Sequence, residues 1–127
     1  MVERVVATPE ARAWIDKLTA KNGTLSFHQS GGCCDGSSPM CFAEGEFKIG
    51  SSDVKLGAIG DAQFFIAADQ YKLWEHTQLI IDVVPGRGAS FSLEIPEGVR
   101  FLTRGRMFTE AEMAELKLSP LRPATAA

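Results

Sequence analysis

LIIDVVPGRGASFSLEIPEGVRFLT, residues 79–103, consists of three short apolar runs separated by two turns. The first turn, Pro85-Gly86-Arg87-Gly88, has the glycine content of a hairpin, and the second, Pro96-Glu97-Gly98, has the same punctuation. Leu79–Val84, Ser90–Ile95 and Val99–Thr103 therefore read as consecutive strands of an antiparallel sheet, rich in β-branched and aromatic residues. Pro85-Gly86-Arg87-Gly88 is glycine-rich, but no helix is expected after it, so it is not a phosphate loop.

Working outward, Thr24–Gln29 alternates Leu25 and Phe27 with Ser26 and His28, the pattern of a half-buried strand with His28 on its polar side. Cys41–Phe47 and Gln63–Ala67 read as further strands, set off by turn signals at Gly50-Ser51-Ser52-Asp53, Gly57 and Gly60-Asp61. Thr8-Pro9-Glu10 is a helix start, and Ala11, Trp14, Ile15 and Leu18 recur at helical spacing until Asn22-Gly23. Asp69 is placed to cap a short helix reaching about His76, where His76 would satisfy the last carbonyls. Thr109 and Glu112 form a capping box for a last helix to about Leu118. These elements predict one α+β domain over residues 1–118, mostly antiparallel β, with an N-terminal, a short middle and a C-terminal helix. Leu25, Phe27, Phe65, Ile66, Leu79, Ile81, Phe91, Leu93 and Phe101 are its expected core. Residues 119–127 are small and proline-broken and are expected to be a loosely ordered tail.

A chain of 127 residues with 45% hydrophobic and 23% charged residues has the make-up of one globular domain. Its formal charge of −3 gives no electrostatic reason to bind nucleic acid or an anionic membrane. No apolar run approaches the length needed to span a bilayer, and the opening residues lack the apolar region of a signal peptide. A cytoplasmic protein with reduced thiols is the expectation.

All three cysteines fall in SFHQSGGCCDGSSPMCF, residues 26–42, together with one of the two histidines. His28, Cys33, Cys34 and Cys41 make up the ligand set of a tetrahedral zinc or iron site. Their spacing, H-x4-C-C-x6-C, is unlike the C-x2–4-C knuckles of zinc fingers. Adjacent cysteines diverge on an extended backbone, but Gly31, Gly32 and Gly36 allow a loop that turns both inward. Three readings stay open: a metal site, a reactive thiol, or a tight turn with Cys33 or Cys34 packed as a small hydrophobe. In each functional reading, Cys33 converges with at least one of Cys34, Cys41 and His28.

Elsewhere Arg100, Arg104 and Arg106 alternate along a strand as a solvated face, with an anion or partner contact as the second reading. Glu44 and Glu46 share one side of a strand as surface charge. Ser90 and Ser92 have no G-x-S-x-G context, so no hydrolase elbow is present.

The stretches SFHQSGGCCDGSSPMC, WEHTQLIIDVVPGRGASFSLEIPEGVRFLTRGRMF and TPEARAWIDKL resemble the bacterial domain of unknown function family 779, over about residues 5–115. Members of that family are commonly encoded beside aldehyde dehydrogenases, so the resemblance implies an aldehyde dehydrogenase partner and an accessory role. A more distant similarity is to the A-type iron–sulfur carriers, the HesB-like proteins. Thr8 to Leu18 resembles their first helix, Gly31-Gly32-Cys33 their G-G-C segment, and Ser90–Pro96 the strand before their C-terminal C-G-C. Where the carriers have C-G-C-G, this chain has Thr103-Arg104-Gly105-Arg106, so the second set of thiols is missing. Cys34 and Cys41 would have to rebuild a mononuclear site locally.

Three function classes emerge. The first is a non-enzymatic metal- or thiol-dependent accessory protein that protects, supplies or scavenges for an aldehyde dehydrogenase, whose catalytic cysteine is open to oxidation. The second is a small enzyme acting on aldehydes or thiols, with Cys33 or Cys34 as nucleophile or His28 as base, and the third a structural binding module with packed cysteines. The carrier-like topology, with Phe64, Phe65 and Trp74 in so small a chain, also implies a homodimer.

Overall fold

The computed structural model describes residues 3–29, 39–46, 50, 52–86 and 92–118. Among the described residues seven strands and three helices succeed one another as β1 (Val5–Ala7), α1 (Pro9–Asn22), β2 (Leu25–Gln29), β3 (Met40–Ala43), β4 (Asp53–Ile59), β5 (Ala62–Ala67), α2 (Ala68–Trp74), β6 (Thr77–Pro85), β7 (Val99–Met107) and α3 (Glu110–Lys117). A 3-10 turn, Ile95–Glu97, precedes β7. The α+β class is as expected. Among the described residues no helix is long and apolar enough to cross a membrane.

The helix ends obey local chemistry. Thr8 accepts the Ala11 N–H at 3.2 Å through its hydroxyl, with Pro9 at the first helical position. Ala11, Ile15 and Leu18 form the buried stripe of α1. Thr109 and Glu112 make the full capping box of α3. In α2 the cap position belongs to Ala67, which makes no side-chain bond, and Asp69 lies in the first turn instead. There it complements the helix dipole without capping.

The strands form two sheets, ordered β1-β6-β7 and β3-β2-β5-β4. The expectation of mostly antiparallel sheet is corrected to a mixed one: β1 runs parallel to β6, and β2 parallel to β5. Alternation shows which side of a strand is apolar but carries no information on the direction of its neighbour. β1 has no signature in the sequence, because three residues are too short to show a period. β4 is hidden there too, since Gly50, Gly57 and Gly60 punctuate it like a loop. At Gly57 a Cβ would lie 3.1 Å from Val5 Cγ1, so the glycine admits β1 beside β4, next to a bulge at Lys55/Gly57.

Residues 79–103 depart most from their reading. β6 pairs along its whole length with β7, from Thr77↔Met107 to Pro85↔Val99, and among the described residues not with Ser92–Ile95. The stretch Ser92–Glu97 is turn and 3-10 helix, and Ser90 and Phe91 lie outside the described residues. Its burial is consequently inverted: Ser92 and Glu94 are buried while Leu93 is half-buried. β3 likewise ends at Ala43, leaving Glu44–Glu46 in a turn.

Between the sheets lies one apolar core. Phe27 stacks on Phe64 with centroids 5.8 Å apart and meets Phe101 of the other sheet edge-on at 5.3 Å. Leu25, Ile66, Leu79 and Ile81 surround this trio as expected, while Phe65 is buried outside that cluster. Thr103 donates its hydroxyl to Gln29 Oε1 at 2.8 Å, a fully buried polar link between the sheets. Trp74, Phe64 and Phe65 are all covered within the chain, so none is surplus aromatic surface.

Two outcomes test this arrangement. Phe27→Ala should cost about 3–5 kcal/mol in urea denaturation, whereas Leu73→Ala, at a side chain 58% exposed, should stay within about 0.5 kcal/mol. Arg106 grips Glu112 with two 3.0 Å bonds, and this with the Thr109 N–H holds the Glu112 carboxyl down at about 2, below its ordinary 4.5. The contribution of a lowered carboxylate is present above 4.5 and lost as pH falls toward about 2. The urea midpoints of wild type and Glu112→Gln should therefore converge across that window.

Candidate functional site

β2 is an interior strand, between β3 and β5, and all five of its residues are buried. Phe27 turns to the inter-sheet core, so alternation sends His28 to the opposite face. There His28 stands level with Phe65 of β5, and Asp53 of β4 pairs with Ala67, two residues further along the same face. The two side chains meet across β5: His28 Nε2 and Asp53 Oδ1 are 2.8 Å apart, and both residues are over nine-tenths buried. The other carboxylate oxygen, Oδ2, accepts the Gly50 N–H at 2.8 Å.

A carboxylate only accepts, so the pair places a proton on His28 Nε2. The backbone bond from Gly50 fixes the carboxylate, which in turn fixes the ring. Such an orienting partner is what both metal-binding and catalytic histidines use. Alternation puts His28 on the face opposite Leu25 and Phe27, where it is found, although that face of β2 is buried and the strand is not half-exposed. Asp53 carries no such mark, because it reads as a turn residue, and only the order of β2, β5 and β4 brings it within reach.

Cys41 has a different setting. It stands opposite Phe27 in the β2–β3 ladder, whereas His28 stands opposite Met40. Directly opposed residues share a face, so Cys41 points into the core and His28 away from it. Cys41 and His28 therefore do not meet, and the expected convergence of Cys33 with at least one of Cys34, Cys41 and His28 involves residues outside those described. Cys41 is fully buried, and burial pushes its thiol strongly up, with the Glu94 carboxylate adding to the effect. It behaves as a small core hydrophobe. Cys33 and Cys34, and the rest of the expected pocket from Gly31 to Ser38, lie outside the described residues. Among the described residues no three His, Cys, Asp or Glu side chains are grouped to hold a metal ion.

Next to Cys41 is a polar cluster that alternation concealed. Ser92 Oγ accepts the Cys41 N–H at 2.8 Å and donates a short hydrogen bond to Glu94 Oε1. Glu94 Oε2 accepts the Phe101 N–H at 3.0 Å, and Leu93 N–H bonds the Cys41 carbonyl at 2.9 Å. The 92–94 segment thus seals the outer edge of β3, with Glu94 fully buried. The turn signal Ile95-Pro96-Glu97-Gly98 is the available clue that Ser92–Ile95 is no strand.

The remaining residues singled out in the sequence are on the surface. Arg104 pairs with Asp82 at 2.8 Å, a bond that holds the Asp82 carboxyl below its ordinary range, and Arg106 pairs with Glu112. His76 is exposed, 3.5 Å from Glu75 through Nε2, and its carbonyl accepts the Phe108 N–H. In a Cys33→Ser/Cys34→Ser double variant, Cys41 should resist a thiol-reactive disulfide reagent in the folded protein and react fully in denaturant. Fast labelling without denaturant would contradict its place in the core.

The family described as Domain of unknown function (DUF779) matches residues 14–107. No curated protein and no solved structure matches the chain. The match takes in β2 through β7, with His28, Asp53, Cys41 and the Ser92–Glu94 segment, and well over half of the sequence. The chain therefore belongs to the DUF779 family of domains of unknown function.

Proposed function

We propose that this chain is a non-enzymatic, metal-dependent accessory protein of an aldehyde dehydrogenase, with zinc or iron held by His28 together with Cys33 and Cys34. The observation that supports it is the buried His28–Asp53 pair at 2.8 Å. Metal-bound histidines generally give their second ring nitrogen to a carboxylate, which sets the tautomer and raises the basicity of the ligating nitrogen. Cys33 and Cys34 come five and six residues after His28 and bring the soft thiolates that zinc and iron prefer. Cys41 is left out of this ligand set because its thiol is packed in the core. The aldehyde dehydrogenase partner and the cytoplasmic setting come from the family resemblance and from the odd cysteine count, and a homodimer would come from the carrier resemblance.

The alternative favoured by the same observation is a thiol enzyme in which His28, oriented by Asp53, activates Cys33 or Cys34. In that case the protein carries no metal and has one thiol of unusual reactivity.

Elemental analysis of untagged protein, expressed with added zinc and iron, separates the two. About one equivalent of metal is expected, lost in Cys33→Ser and in His28→Gln. Asp53→Asn should keep the fold and weaken metal affinity by about 10–100-fold, as removal of an orienting carboxylate does. Metal-free wild type with a hyper-reactive Cys33 or Cys34 would support the thiol enzyme. Metal-free protein with inert thiols would overturn both readings.

A further inference from the structure

A cleft of about 460 Å³ lies between α2 and α3, lined by Arg4, Tyr71, Glu75, His76, Met113, Leu116 and Lys117. It falls within the range of about 300–1,000 Å³ typical of small-molecule sites. The two grooves beside Arg12 are smaller, about 200 and 230 Å³. The cleft contains neither member of the His28–Asp53 pair, so a ligand bound in it is independent of any metal or thiol chemistry at that pair.

Three elements build it. Met113, Leu116 and Lys117 are at i, i+3 and i+4 and share one face of α3. Tyr71 and Glu75 are one turn apart at the end of α2, and the Phe108 N–H bond to the His76 carbonyl at 3.0 Å ties the start of α3 to them. Arg4 closes the third side, donating through Nη2 to the Leu116 carbonyl at 3.2 Å, in the last turn of α3. The walls are the Tyr71 ring, Met113 and Leu116. At the rim are two cations, Arg4 and Lys117, against one carboxylate, Glu75, itself 3.5 Å from His76. Among the described residues neither the Lys117 ammonium nor the Tyr71 hydroxyl has a hydrogen-bond or ion-pair partner.

The geometry points to a binding site for a small amphipathic carboxylate, with its apolar chain against Tyr71, Met113 and Leu116 and its carboxylate toward Lys117, Arg4 and the Tyr71 hydroxyl. An apolar slot alone accepts any greasy molecule, and the two rim cations select the anionic one.

Octanoate is the probe, with octanol and octylamine as neutral and cationic controls of the same length. Binding is read from the ε-methyl resonance of Met113 in methionine-labelled full-length protein, identified with Met113→Leu. Octanoate should shift that resonance saturably and bind about tenfold more tightly than octanol, the discrimination expected of about one charge-assisted hydrogen bond. Lys117→Gln, at an exposed position, should weaken octanoate several-fold and leave octanol unchanged, and Tyr71→Phe should do the same to a smaller degree. A Met113 resonance unmoved by octanoate would overturn the site. Equal affinity for octanoate and octanol, or indifference to Lys117→Gln, would overturn its selectivity for a carboxylate.

Discussion

The contact of Phe27 with Phe64 beneath it and Phe101 across from it joins the two sheets. All three rings are fully buried, and their stacked and edge-on geometry leaves little freedom in how the sheets face each other. Because Phe27 must face inward, the orientation of every other β2 side chain is set. Leu25 and Gln29 share the core side, where Gln29 is satisfied by Thr103 of the opposite sheet. Ser26 and His28 are forced to the other.

That constraint also divides the cysteine-rich stretch. Register in the β2–β3 ladder puts Cys41 beside Phe27 and Met40 beside His28. One strand of the stretch therefore contributes its histidine to one face of the sheet, and the next contributes its cysteine to the other. A one-residue slip would reverse both, but it would also turn Cys41 out of the core and Met40 into it. His28 and Cys41, close together in the sequence, are on opposite faces of the sheet.

Buried polar groups mark the places where the fold is most specific. His28 is held by Asp53, and Asp53 by the Gly50 backbone. Glu94 is held by Ser92 and the Phe101 backbone, and Ser92 in turn by Cys41. Each is a chain of hydrogen bonds linking segments distant in sequence, and leaving any link unpaired inside the protein would be costly. Both arrangements fix backbone that no apolar pattern would fix, at the start of β4 and along the free edge of β3.

The sequence by itself determined whatever depends on near neighbours. Thr8-Pro9 and Thr109-x-x-Glu112 cap helices because their side chains reach backbone three residues away. Leu25 and Phe27 announce a buried strand through a period of two, and His28 was legible as the outlier on its polar face. Only the tertiary structure decided strand direction, partner and reach. The parallel pairing of β2 with β5 sets Asp53 beside His28, from 25 positions away. The choice of β7 as partner of β6 turns Ser90–Ile95 from an expected strand, in its described part, into a buried turn with Glu94 inside. Alternation records which side of a segment is apolar. The identity of the segment that covers it depends on contacts whose energy is gained only after the chain has closed long loops, and no local pattern encodes that.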